Sequence, residues 1–219
     1  MGLFNFFMKS IIFCFVIALS QSALSQTGNS ILDSDSDMAI FYCNQGINKI
    51  ELEDYEGALL DFNEAIKLNA KDADFYANRG YVKDLLEDFT GAIEDYTIGI
   101  LLDPNDHIGY NNRAKLKFYY ADNKGAMKDF DLAIKIDPTN SDYYHNRGVI
   151  KHDMEDFLGA IEDYTKSMEL ETEKDGLTYY NRANSKKALQ DFLGACSDAR
   201  KAIQFGYDAT ELINENCNQ

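Results

Sequence analysis

Two residue columns in this chain could do chemistry by virtue of their spacing. Arginine and aspartate recur sixteen residues apart, as Arg79 and Asp95, Arg113 and Asp129, Arg147 and Asp163, and Arg182 and Asp198. A guanidinium fork suits bidentate pairing with a carboxylate. Asparagine recurs as Asn44, Asn78, Asn112, Asn146 and Asn181. Its amide offers a donor and an acceptor, which matches an extended peptide backbone. Two other patterns fail chemically. His145 and His152 share a helix face, but two turns hold their rings about 10 Å apart, too far for one metal. Asp33, Asp35 and Asp37 alternate like the start of a calcium loop, yet Met38 and Asn44 stand where Gly and the closing Glu belong. His107 is incidental at a helix start. No phosphate loop, nucleophile motif or Cys/His metal spacing occurs. Paired carboxylates abound, on predicted outer faces. Neither an enzyme, a metal site nor a cofactor is expected.

The elements that position these columns are repeated. Tyr76-Ala77-Asn78-Arg79-Gly80 returns as Tyr110-Asn111-Asn112-Arg113-Ala114 and as Tyr144-His145-Asn146-Arg147-Gly148. A shorter copy is Tyr180-Asn181-Arg182-Ala183, and a weaker one is Tyr42-Cys43-Asn44-Gln45-Gly46. Ala58, Ala92, Ala126, Ala160 and Ala195 step by 34, 34, 34 and 35 residues. A period of that size marks stacked supersecondary units. Each unit carries two amphipathic patterns with apolar recurrence at three and four residues. Asp54, Asp88, Asp122, Asp156 and Asp191 stand as N-caps of the second pattern, and so short a turn makes the helices antiparallel. Small residues mid-way along the first helix and early in the second allow close approach. Tyr55, Phe89, Phe157 and Phe192 fill the space near the turn, with Asn123 in their place in the third unit.

In an antiparallel hairpin the Arg and Asp columns face each other. We read them as structural salt bridges within each unit, with a ligand contact as the alternative. Gln45 replaces the arginine in the first unit while Asp61 remains, so that pair should be weaker.

The chain has 219 residues and a net charge of -16, with 45% hydrophobic content. The acidity disfavours nucleic acid and anionic membrane surfaces as partners. Residues 1–25 have the form of a secretory signal peptide, with Lys9, an apolar run from Ile11 to Leu19, and Ala23-Leu24-Ser25 for cleavage. The run is too short to span a bilayer, so no stable membrane insertion is expected after cleavage. The protein is expected to be exported, periplasmic or secreted. Cys43, Cys196 and Cys217 then remain. Cys196 to Cys217 is the bridge that a solenoid allows, and three unpaired thiols are an equal alternative. Residues 26–38 read as a flexible acidic leader.

The repeat resembles the tetratricopeptide family. The resemblance rests on the 34-residue helix-turn-helix period, the two small-residue columns, the aromatic ahead of the second column, and Pro104 and Pro138 closing units. Ala70 and Thr172 depart from that close. It implies an all-α, right-handed solenoid of five repeats plus a short C-terminal capping helix. The units fall at 39–72, 73–106, 107–140, 141–175 and 176–209, with the cap at 210–219. It further implies that the first helices line a concave groove for a protein or peptide partner. The groove residues would be Asn44, Asn78, Asn112, Asn146, Asn181, Tyr81, Lys115 and His145. Alternatively, each Asn bonds a neighbouring helix. The family's Lys and Asn carboxylate clamp does not fit, because Cys43, Ile47, Ala77, Tyr81 and Ile108 occupy its places. The expected function is an exported scaffold that holds a partner polypeptide. The alternative is an assembly component of an envelope complex, or a homo-oligomer, built through terminal repeats with Ile40, Phe41 and Ile47 at the interface.

Overall fold

The computed structural model describes residues 34–217, all helix and short connection. The helices are α1 (Asp35–Glu51), α2 (Tyr55–Leu68), α3 (Ala73–Leu85), α4 (Phe89–Leu102), α5 (His107–Tyr119), α6 (Asn123–Ile136), α7 (Ser141–Asp153), α8 (Phe157–Leu170), α9 (Gly176–Ala188), α10 (Phe192–Gln204) and α11 (Thr210–Asn216). They pack as five consecutive antiparallel hairpins, α1 with α2 through α9 with α10, and α11 closes the last. First helices also touch each other, α1 with α3, α5 with α7 and α7 with α9. They therefore form the inner side of the curve. None of the described helices is long and apolar enough to cross a membrane. The signal segment at 1–25 lies outside the described residues.

Each hairpin turn follows one recipe. The residues Glu53, Glu87, Ala121, Glu155 and Gln190 adopt left-handed backbone, with φ from 59 to 63°. The next residue is the capping aspartate. Its amide bonds back to the first helix, as Asp54 does to the Lys49 carbonyl at 2.9 Å. Its carboxylate accepts from the backbone N–H three residues on, as Asp54 does from Gly57 at 3.0 Å. One residue thus ends one helix and starts the next.

The expected leader boundary needs correction. Helix α1 begins at Asp35, because Ser34 accepts from the Asp37 N–H and two aspartates complement the positive helix start. Residues 26–33 of that leader lie outside the described residues.

The core is a chain of small clusters, one passing into the next. Phe62, Tyr96, Phe130 and Tyr164 hold one column, each fully buried. They press on the small residues of the facing helix. A methyl built on Gly148 would lie 2.8 Å from the Tyr164 ring. Asn123 donates to Asp153 of the following repeat at 2.8 Å, where the other repeats present an aromatic.

The charged columns meet. Arg79 gives Nε and Nη2 to the two Asp95 oxygens at 2.8 and 2.7 Å. Arg113 with Asp129, Arg147 with Asp163 and Arg182 with Asp198 repeat the fork. Two partners were not foreseen. Lys83, Lys117, Lys151 and Lys186 ion-pair with the same carboxylates at 2.7 to 2.8 Å. The remaining arginine nitrogen reaches back to the preceding repeat, to Asn63, Thr97, Asp131 and Thr165 respectively. Each arginine therefore ties two hairpins together. In the first repeat Lys49 alone holds Asp61, at 2.7 Å.

Burial raises the Asp198 carboxyl, but the hydrogen bonds and charges of Arg182 and Lys186 outweigh it and hold it below its ordinary value. A carboxyl depressed in the folded state stabilises the fold above its unfolded pKa. That contribution is lost as pH falls through the folded value. Asp198→Asn should be less stable than the parent at neutral pH, yet lose less on acidification. Urea midpoints at about pH 7 and about pH 3 test this; equal acid losses in the two proteins would refute it.

Candidate functional site

A groove of about 1110 Å³ opens on the inner side, across α5, α7 and α9. Helix periodicity builds it: positions three and four apart on each first helix point the same way. Lys115 and Phe118 come from α5. Asp142, His145, Asn146, Val149 and His152 come from α7. Thr178, Tyr180, Asn181, Asn184 and Lys187 come from α9. Glu171, Glu173 and Asp175, in the connection before α9, close one side, and Tyr164 and Tyr207 complete it.

The predicted groove residues divide. Lys115, His145, Asn146 and Asn181 line this cavity; Asn44, Asn78, Asn112 and Tyr81 do not. Asn112 is buried and accepts from Asn111 at 3.0 Å. Three rungs of the asparagine column reach the preceding repeat. Asn78 Nδ2 approaches Cys43 Sγ at 3.9 Å, Asn146 Nδ2 approaches Asn111 Oδ1 at 3.5 Å, and Asn181 Nδ2 approaches His145 Nε2 at 3.4 Å. Asn146 and Asn181 thus bond the preceding repeat as well as facing the groove. Ile47 is half-buried against the first core cluster, whereas Ile40 and Phe41 stay 51% and 42% exposed.

A polar chain runs along the groove wall. Thr178 Oγ1 lies 3.1 Å from Asp175 Oδ2 and 3.4 Å from Glu171 Oε1. His145 Nδ1 lies 2.8 Å from the same Thr178 oxygen. Thr178 has one proton, which goes to a carboxylate, so His145 Nδ1–H donates and Nε2 accepts from Asn181. Burial lowers the His145 pKa, with Asp175 and Asp142 opposing, so the ring is neutral at pH 7. His152 makes the same kind of bond to Ser185 at 2.8 Å, and His107 to Tyr143 at 2.6 Å. All three histidines therefore join one repeat to the next.

Electrostatically the groove is acidic. Burial raises the Glu171 carboxyl and the neighbouring Asp175 adds to it. Burial lowers the Lys115 ammonium, against the pull of Asp142 and Asp84. The expectation that paired carboxylates keep to outer faces fails here: Glu171, Glu173 and Asp175, in the connection before α9, line the groove.

The bridge between Cys196 and Cys217 forms, with Cα atoms 5.4 Å apart. It pins α11 against α10. Cys43 is a buried free thiol pushed up to about 12, by burial first and then by Asp72 and Asp74. It is not a reactive thiolate at neutral pH.

Residues 49–83 match the TPR repeat family model, and residues 141–174 match the tetratricopeptide repeat model. No curated protein sequence matches the chain. Among solved structures, the chain is similar to MamA 41-end from Desulfovibrio magneticus RS-1, with a TM-score of 0.72 and 16% identity over 85% of this chain and 100% of that one. It is also similar to YrrB, described as a TPR protein with an unusual peptide-binding site, with a TM-score of 0.71 and 16% identity over 83% of this chain and 92% of that one. The first TPR of Spaghetti (RPAP3), bound to the HSP90 peptide SRMEEVD, covers 55% of this chain and 96% of its own, with a TM-score of 0.54 and 18% identity. These likenesses show the fold, a tetratricopeptide-type solenoid.

Proposed function

We propose that the protein is a scaffold without catalysis that holds an extended segment of a partner polypeptide in the groove of α5, α7 and α9. The observation that carries this is the groove itself, about 1110 Å³ in volume and lined by amides, aromatic rings and carboxylates. Amides such as Asn146 and Asn184 can bond a peptide backbone, while Phe118, Phe157 and Tyr180 receive side chains. Two structural neighbours of this fold are described as peptide binders, which supports the reading by analogy. We further propose export, supported by the signal-like residues 1–25 and by the bridge between Cys196 and Cys217.

Random linear peptides displayed on phage and selected on the intact chain test the groove. Asn146→Ala with Asn184→Ala should weaken the selected peptides by about tenfold or more, the worth of two lost hydrogen bonds, with helical circular dichroism unchanged. Undiminished binding would move the site elsewhere.

A second reading makes the first repeat an interface for assembly, because Ile40, Phe41 and Leu60 are exposed there. Sedimentation separates the two: a dimer abolished by Ile40→Lys supports assembly, and a monomer at all concentrations supports the groove alone.

A further inference from the structure

The groove is not evenly charged, and the imbalance defines its ligand. Five carboxylates line it, Asp142, Asp153, Glu171, Glu173 and Asp175, against two ammonium groups, Lys115 and Lys187. Both ammonium groups are already countered. Lys187 forms an ion pair with Glu215 of α11, and Lys115 lies in the field of Asp142 and Asp84. Asp153 is engaged by Asn123. The excess negative charge therefore collects at Glu171, Glu173 and Asp175. The groups bonded to Glu171 and Asp175 are neutral: Ser167, Thr178 and backbone N–H groups. Glu173 is exposed and makes no hydrogen bond or ion pair among the described residues.

A second, independent feature faces the same space. Tyr164 is 1% exposed and lines the groove. Its hydroxyl has no hydrogen-bond partner among the described residues. Phe62, Tyr96 and Phe130 fill the equivalent position in other repeats, so packing there does not require a hydroxyl. That hydroxyl is free to bond a ligand in the groove. His145 connects this hydroxyl's ring to the carboxylates. Its ring lies 5.6 Å from that of Tyr164 in edge contact, and its Nδ1 bonds Thr178 beside Glu171 and Asp175. Opposite, the rings of Tyr180 and Tyr207 lie 4.8 Å apart and present aromatic surface to the groove.

We propose that this end of the groove is a subsite for a lysine or arginine side chain of the bound segment, with Glu171, Glu173 and Asp175 as its counter-charges and the Tyr164 hydroxyl as a further ligand contact. The inference rests on the groove reading above and specifies its ligand. Carboxylates beside aromatic faces suit a cation, which gains from both the charge and the ring quadrupole. The connection before α9 supplies the counter-charges.

The phage selection tests both statements and separates them. Sequences enriched in Lys or Arg support the subsite, provided Glu171→Gln with Glu173→Gln weakens them by about fivefold or more. Glu162→Gln with Glu169→Gln, the same charge change on exposed α8 positions outside the groove, should leave them unchanged. Tyr164→Phe should keep the parent melting temperature and lower affinity by about threefold or more. Selected sequences that are neutral or acidic, yet weakened by the Asn146 and Asn184 substitutions, would overturn the cation subsite and keep the groove. Basic sequences equally weakened by the Glu162 and Glu169 substitutions would also overturn it, since attraction would then be diffuse. Selection of no groove-dependent sequence would overturn both.

Discussion

Asp129→Ala should destabilise the chain by about 3 to 5 kcal/mol. Asp129 is 1% exposed and accepts from Arg113 at 2.8 and 2.9 Å and from Lys117 at 2.7 Å. Removing it leaves two cations facing each other with no anion between them. That cost is the penalty of breaking the cluster; the net worth of the intact cluster is smaller, because forming it required desolvating three charges. The first repeat supplies the control. Asp61 meets Lys49 alone, and Lys49 keeps 32% of its side chain in solvent. Asp61→Ala should cost only about 1 kcal/mol. Urea denaturation of both variants decides the matter. Equal costs would mean that the second cation and the burial contribute nothing.

Cys217→Ser should lose about 3 kcal/mol, the loop-closure value for a bridge across 21 residues, and the loss should be local. Helix α11 has seven residues, far too few to persist alone. Without the bridge it keeps the contacts of Leu212 and Ile213 with the last core cluster and the ion pair of Glu215 with Lys187. Its release would uncover Tyr179, Ala199 and Ala202 and shift Tyr207, which closes the groove. Hydrogen exchange should therefore accelerate in residues 205–217 and spread into α9 and α10, leaving α1 to α4 as before. Unchanged exchange in α11 would show that packing alone holds it. Cys217 is the better position to alter, because Cys196 is buried and a hydroxyl there would add its own cost.

The parts of the structure legible in sequence are those fixed by short-range geometry. Period, caps and small columns follow from chain positions within one hairpin, and so does the sixteen-residue pairing of Arg with Asp. The parts that escaped depend on how hairpins meet. The asparagine rungs end on Cys43, Asn111 and His145, three different residues in one column, so no pattern announces them. Glu171 and Asp175 lie in a connection, where no helix period fixes which way a side chain faces. Of the amide column, Asn146 and Asn181 reach the cavity, while Asn112 is buried among its neighbours.

The arginine arms that reach back one hairpin have a mechanical consequence. Arg79, Arg113, Arg147 and Arg182 rivet each hairpin to the one before it, but Gln45 sits where the first unit would carry its own fork. The far end is sewn shut by the Cys196 bridge and by histidine contacts that begin at His107. Such a rod peels from one direction. Under load or mild denaturant the first hairpin detaches while the trough at the opposite end keeps its shape, so grip on a visitor should outlast the loss of the leading turns.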